Sequence, residues 1–265
     1  MAIAATQSAG LRLHFGSDIK PLHAGLAAQQ AVLAVELCQY GLQANPDFLA
    51  EDIGFLALYG QGNAALNLSD WGANWRIGTP GLWFKNYPYC SANAYVVDAM
   101  QLILAQHSID FQHIDRVNLI FPVHGDAALI YRLPKRQDQG RFSAEYVIAC
   151  LLQHKRLDET AFQPVPIDET TTCLMHKIVR QYHDSPLPRF AQIDIYLSHQ
   201  HCVSARVEHP KGSPANPYSQ REIRTKLTRA IGSDERAGQL VALSEDFHTD
   251  QPVQQIVKQL QRIIC

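Results

Sequence analysis

Residues 16–37, GSDIKPLHAGLAAQQAVLAVEL, decide how the chain is read. Pro21 suits the first position of a helix, where its missing N–H costs nothing, and Ser17 and Asp18 just upstream are turn and capping types. From Ala24 onward the small and apolar residues Ala27, Ala28, Ala31, Leu33, Ala34, Val35 and Leu37 recur densely enough to predict a helix buried on most sides. Lys20 and His23 stand at its mouth. Free N–H groups and the positive dipole end favour an anion there, so a lysine and a histidine together make a plausible carboxylate site. From spacing alone the plainer reading, a solvated lysine and a capping histidine on a core helix, is the better supported.

Outward from this helix the chain alternates between helical and mixed segments. Residues 1–9 resemble the end of a small-residue helix, and Gly41 is a natural helix stop. Residues 44–59 read as a connector and a short helix, and residues 61–79, rich in Gly and Asn, as a loop with Trp71, Trp75 and Trp83 packed about it. Composition shifts near Pro80. A helix is expected from about Ser91 through residue 107, a buried strand over 115–122, helices over 140–152 and 170–180, and a hairpin over 189–207. PKGSPANP at 210–217 reads as a linker, followed by helices over 218–231, about 236–243 and 252–264. The expected fold class is therefore α+β with two domains: an all-helical domain from residues 1–79 and 212–265, and a smaller α/β lid domain from 80–211.

Composition excludes several classes of function. A content of 46% hydrophobic and 18% charged residues argues against disorder. A net charge of -2 gives no electrostatic case for nucleic acid or an anionic membrane. No apolar run is long enough to span a bilayer, and MAIAATQSAGLRLHF is a poor signal peptide, so a cytoplasmic protein is expected. The six cysteines are scattered without a CxxC pair; Cys38 and Cys150 read as small core residues. His199 and His201 share one face of a strand, but no third or fourth ligand is evident, so no metal site is expected. Arg221, Arg224, Lys226 and Arg229 form a basic stretch that reads as a solvated helix face. Tyr87, Tyr89 and Tyr95 suit a pocket wall or plain packing equally.

Four segments in order, SDIKPLHAGLAA at 17–28, KNYPYCSANAYVVDA at 85–99, RFSAEYVIA at 141–149 and HPKGSPANPYSQREIRTK at 209–226, resemble signature segments of the MmgE/PrpD (2-methylcitrate dehydratase) superfamily. The resemblance covers essentially the whole chain but only the later part of the family, so it implies an N-terminally truncated or split form with an incomplete helical domain. It implies a helical domain with an α/β lid, usually dimeric. It also implies cofactor-independent dehydration, decarboxylation or epimerisation of a small di- or tricarboxylate, with neither metal nor organic cofactor. The partner is then a second copy or a companion chain supplying the missing helices. The resemblance makes Lys20, Lys85 and Tyr146 the catalytic set, the lysines binding substrate carboxylates and the tyrosine supplying a hydroxyl. It makes His23, Cys90 and Ser143 substrate-binding neighbours. The physical chemistry fits, because buried cations stabilise negative charge that builds up beside a carboxylate, and tyrosine can donate a proton.

Departures from the family pattern point the other way. Cys90 stands where decarboxylating members carry a histidine, and Ala94 where many members have one a turn later. The family's strongest acid and base belong to the segment absent here. A catalytically inactive remnant, or a carboxylate-binding or assembly protein, is the alternative expectation.

Overall fold

The computed structural model describes residues 1–14, 17, 19–50, 52–60, 72–184, 189–198, 201–246 and 252–264. Asp18, Trp71, His199 and Cys265 lie outside them. The chain forms two compact units, Met1–Trp75 and Arg76–Cys265.

The first unit is built on helices α1 (Ala2–Ala5), α2 (Ile19–Gln39) and α3 (Phe55–Tyr59). Helix α2 begins two residues ahead of Pro21, which puts Lys20 inside the first turn. The Ser17 hydroxyl donates to the carbonyl of His14 at 3.0 Å, and the Ser17 carbonyl accepts the N–H of Lys20 at 3.2 Å. The far end stops where the sequence says it should. Gly41 takes a positive φ of 89°, its N–H donates to Cys38 O and that of Leu42 to Leu37 O, both at 3.0 Å. This pair of bonds satisfies carbonyls that the end of a helix otherwise orphans. The Tyr59 hydroxyl closes the unit by donating to Ser8 O at 2.9 Å.

Burial of α2 is the first correction. Of its residues only Ala34 is buried, while Leu22, Leu26, Leu33, Val32 and Val35 are exposed, the last two by about 60% (60% and 59%). Cys38 is exposed as well, so it is not a core residue. The helical period was legible, but a helix apolar all round needs cover on every side, and within the described residues α2 has it on one. Beside it an apolar groove of about 1090 Å³ opens between α1, α2, Phe48 and Phe55, with Gln7, Ser8, His23 and Gln30 as polar lining.

The second unit runs α4 (Ala92–Gln106), β1 (Ile114–Pro122), α5 (Ala144–His154), α6 (Glu169–His176), β2 (Ile178–His183), β3 (Ala191–Leu197), β4 (His201–Val207), α7 (Gln220–Ile231), α8 (Asp234–Glu245) and α9 (Val253–Ile264). The strands form one sheet in the order β2-β1-β3-β4, with β1 and β2 parallel and the other pairs antiparallel. Register sets the buried face: Val117 pairs with Ile195 and Leu119 with Ile193, and all four are buried. Helix α4 lies on β3 and β4, and α5 on α4 and α6, bringing Val96, Met100, Val147 and Leu151 into the same core.

Here too local signals set the element boundaries. Ser143 caps α5 by accepting the N–H of Tyr146 at 3.1 Å, and Asp168 caps α6 by accepting that of Thr171 at 2.8 Å. Ser219 and Glu222 form a reciprocal capping box at the start of α7. The hydrogen bonds from Ser219, then the Lys211 ammonium, hold the Glu222 carboxyl at about 2.

The expected helix over 170–180 is the second correction. It ends at His176, and Ile178–His183 becomes the parallel edge strand β2. The strand forms because β1 presents a free edge: the N–H of Val117 donates to Lys177 O at 2.9 Å, ahead of the ladder from Ile178 onward. β-branched Ile178 and Val179 suit that pleat better than a last helical turn.

Strand β2 carries Arg180 inward, opposite Leu119. Its side chain is 2% exposed, and it meets Glu145 (4%) and Asp126 (9%). Its Nε and Nη2 form a fork on Glu145 at 2.7 and 2.6 Å, and Nη1 donates to Asp126 at 2.6 Å. Nη1 and Nη2 also donate to the carbonyls of Leu129 and Tyr131 at 3.0 and 3.3 Å. All five guanidinium N–H groups are thereby used.

Removing one partner of a buried pair strands the other, a loss of about 3–5 kcal/mol. Arg180→Met should therefore lower the unfolding free energy in urea by about that much, and Arg180→Lys, which keeps the charge but not the fork, by less. A change below about 1 kcal/mol for Arg180→Met would show that β2 is held by its ladder alone. The uncovered face of α2 makes a second expectation: the native chain should enhance the fluorescence of an anilinonaphthalene sulfonate dye well below its unfolding temperature. Leu26→Gln, on the groove wall, should reduce that signal. A dye response no greater than that of an ordinary folded monomer would mean the face is covered in solution.

Candidate functional site

Lys85 sits on an exposed turn of the second unit, just ahead of α4, and Cys90 is buried at the end of that turn. The N–H of Cys90 and the side-chain amide of Asn93 both donate to Arg141 O, at 2.9 and 3.2 Å. Those bonds bring the 85–93 segment against the 141–146 segment, so two of the four segments singled out in the sequence meet. Cys90, Ser143 and Tyr146 thus share one region. Lys20 is exposed and His23 half-buried in the other unit, where the His23 ring stands edge-on to that of His14 with centroids 5.8 Å apart.

The chemistry of the buried members is specific. Ser143 is fully buried, its Oγ accepting the cap bond and facing Glu145 Oε2 at 3.4 Å. Tyr146 is buried, and its hydroxyl donates to Ala161 O at 2.5 Å. Burial, followed by the neighbouring Cys150, holds its pKa well above the usual tyrosine range, so it remains a donor. Its ring needs Gly140: a Cβ there would lie 2.1 Å from the ring. The three tyrosines pack: Tyr87 on Tyr89, Tyr89 on Phe162, and Tyr95 on Trp83, with centroids 5.6, 6.3 and 6.0 Å apart. Within the basic stretch Arg224 pairs with Asp234 at 2.8 Å and Arg229 with Glu159 at 3.3 Å. Among the described residues no group of three or more His, Cys, Asp and Glu side chains could hold a metal ion, and His199 lies outside them.

Helix α4 also carries a titratable group not singled out from the sequence. Asp98, half-buried on α4, accepts the backbone N–H of Lys211 at 2.5 Å, tying the 209–218 segment to the helix. Desolvation raises its pKa, and the Lys211 N–H and ammonium oppose the shift without cancelling it. Burial also pushes Tyr89 well above its ordinary value and Tyr218 up to about 12, with the Asp98 charge adding to both. The Lys211 ammonium continues to Glu222 at 3.0 Å. The available signal was one carboxylate interrupting the apolar run AYVVDAMQLIL.

Known proteins place the chain independently of this geometry. The family model described as the MmgE/PrpD C-terminal domain matches residues 87–243. Human cis-aconitate decarboxylase is 25% identical over 238 residues, covering 86% of this chain and 49% of that protein. The mouse cis-aconitate decarboxylase is 26% identical over 240 residues, covering 86% and 48%. The chain therefore spans about half the length of the curated relatives it matches.

Asp98 offers a test with a defined sign. A carboxyl whose folded pKa exceeds its unfolded value adds stability below about pH 3.9 and loses it as pH rises through the folded pKa. Asp98→Asn keeps an acceptor for the Lys211 N–H but does not titrate. Thermal unfolding between pH 3.5 and 7 should thus show the variant gaining on the parent as pH rises. A difference independent of pH would mean that the carboxyl carries no burial penalty.

Proposed function

This chain belongs to the MmgE/PrpD family, and on that premise we propose that it binds a small di- or tricarboxylate and takes part in lyase- or isomerase-type chemistry beside a carboxylate. The chemistry would be dehydration, decarboxylation or epimerisation, and would need no cofactor. The observation that supports the reading is the meeting of the 90–93 and 141–146 segments through Arg141 O, which brings the stretch carrying Cys90 against the one carrying Ser143 and Tyr146. The relatives support the substrate class, since both are named for acting on cis-aconitate, a tricarboxylate.

In this reading Lys20 and Lys85 bind substrate carboxylates, compact charges whose donors rotate to meet an oxygen. Tyr146, kept protonated by burial, is the hydroxyl that donates a hydrogen bond to a developing enolate or departing group, a role that requires its hydroxyl to exchange Ala161 O for the ligand. His23, Cys90 and Ser143 contribute to binding. Residues 1–79 and 212–265 act as the helical domain and 80–211 as the α/β lid domain. A second copy of the chain, or a companion chain contributing helices, covers α2; its exposed leucines and valines favour such cover. The location in this reading is the cytoplasm. No helix among the described residues is long and apolar enough to cross a membrane.

A second reading, a carboxylate-binding protein without turnover, is favoured by Cys90. A buried thiol is a poor substitute for the imidazole that decarboxylating members carry there, and catalytic groups that act as a unit lose nearly all their effect when one is gone.

Titration of the purified chain with itaconate, followed by NMR, tests the binding shared by both readings. Binding in the millimolar range is expected, with Lys20→Ala and Lys85→Ala each weakening it at least tenfold and Lys258→Ala leaving it unchanged. Equal binding by all three variants would remove the carboxylate site. Turnover of cis-aconitate by the parent, lost in Tyr146→Phe, would separate the enzyme from the binding protein.

A further inference from the structure

We propose that Arg229 and Gly212 are positioning residues for Lys85, gripping the backbone on either side of it from the 209–229 segment. The inference rests on the reading of Lys85 as a carboxylate-binding lysine.

The grip has two halves. On the N-terminal side the N–H of Phe84 donates to Gly212 O at 2.8 Å. Gly212 has a φ of +87°, and a Cβ there would lie 2.2 Å from Phe84 O and 2.6 Å from the Tyr218 ring. Only glycine lets the two backbones approach this closely. The loop is itself fixed, with the Gly212 N–H donating to Asn216 O at 2.8 Å and the neighbouring Lys211 N–H held by Asp98.

On the C-terminal side Arg229 Nη2 donates to both the backbone O and the Oδ1 of Asn86, at 2.9 and 2.8 Å. The guanidinium lies 5.3 Å from the Tyr87 ring centroid, and Nε faces Glu159 at 3.3 Å. Arg229 is therefore fixed on three sides while it holds Asn86. Lysine has a long flexible stem, so a carboxylate meets its ammonium at a set place only if the backbone beneath it is immobile. The residues before and after Lys85 are held by partners far along the chain. This also explains the 209–226 segment, which the sequence marked out without giving it a task.

The test uses the full chain and itaconate as the probe. Arg229→Lys keeps the charge but cannot reproduce the stacked, hydrogen-bonding plane; Arg229→Gln removes the charge too. Asn86→Ala removes half of the acceptor pair and serves if the arginine variants unfold. Arg221→Gln, on the same helix, is the control for long-range charge. Two readouts are taken on variants with parent-like circular dichroism: the itaconate Kd, and the rate at which an N-hydroxysuccinimide acetate acylates Lys85, scored by peptide mass spectrometry against Lys258. The expected result is a Kd at least fivefold weaker and Lys85 acylation at least threefold faster for Arg229→Lys, Arg229→Gln and Asn86→Ala, with Arg221→Gln like the parent. A parent-like Kd in the Arg229 variants overturns the inference, even where Lys85→Ala has abolished binding and upheld the carboxylate reading. If Lys85→Ala binds like the parent, the carboxylate reading fails by itself, and the acylation rate alone decides the grip: faster acylation supports it and an unchanged rate overturns it.

Discussion

A buried guanidinium organises the second unit. Arg180 arrives on a parallel edge strand and finds Glu145 on the first turn of α5, Asp126 in the loop after β1, and two carbonyls of that same loop. The desolvation of one arginine and two carboxylates is costly, and it is offset only because each N–H has an acceptor in good geometry. Strand, helix and loop are therefore placed by one another. Arg132, half exposed, adds a second cation 3.6 Å from Glu145 and 3.7 Å from Asp126, and its Nη2 donates to the Tyr182 hydroxyl at 2.6 Å. Glu145 lies between Ser143 and Tyr146, so the network that holds the sheet edge also sets the start of the helix bearing both residues.

The consequence for the site is an unequal division of rigidity. Ser143 and Tyr146 sit in a closely packed interior, with the ring of Tyr146 over Gly140 and its hydroxyl on Ala161. Lys85 stands on a turn whose order is imported from the 209–229 segment through Phe84 and Asn86. Asp98 accepts its own burial penalty to hold that segment in place. In the proposed site, a fixed interior and a lysine on a gripped turn together suit a charged ligand that must be admitted and then met at defined distances.

Much of this was legible locally. Ser143, Asp168 and Ser219 announce helix starts, and Gly41 announces a stop, because each satisfies backbone groups within a turn of itself. The strand over 115–122 and the hairpin over 189–207 followed from alternation and from β-branched content. Helix α2 was legible as a helix and misjudged in its burial, since periodicity reports what a face is made of and not what covers it. The first half of strand β2, residues 178–180, was read as helical: IVRQYH is weakly patterned, and its state depends on the free edge of β1, formed by residues far upstream. The lysines, Tyr146 and their neighbours were named from family resemblance, and no spacing in the chain would have joined them.

By itself, then, the sequence determined the α+β class, the position of most elements, the resemblance to the family, and the chemical types available to a carboxylate site. These rest on short-range backbone sterics, capping and periodicity, all written within a few residues. Only the tertiary structure decided which strand completes the sheet, where the buried carboxylates find their arginine, that α2 lies bare, and which distant residues hold Lys85. Those outcomes depend on pairing between segments well separated in the chain, from 35 residues for Arg180 with Glu145 to 143 for Arg229 with Asn86. Their energies come from desolvation and geometry that exist only once the chain has folded.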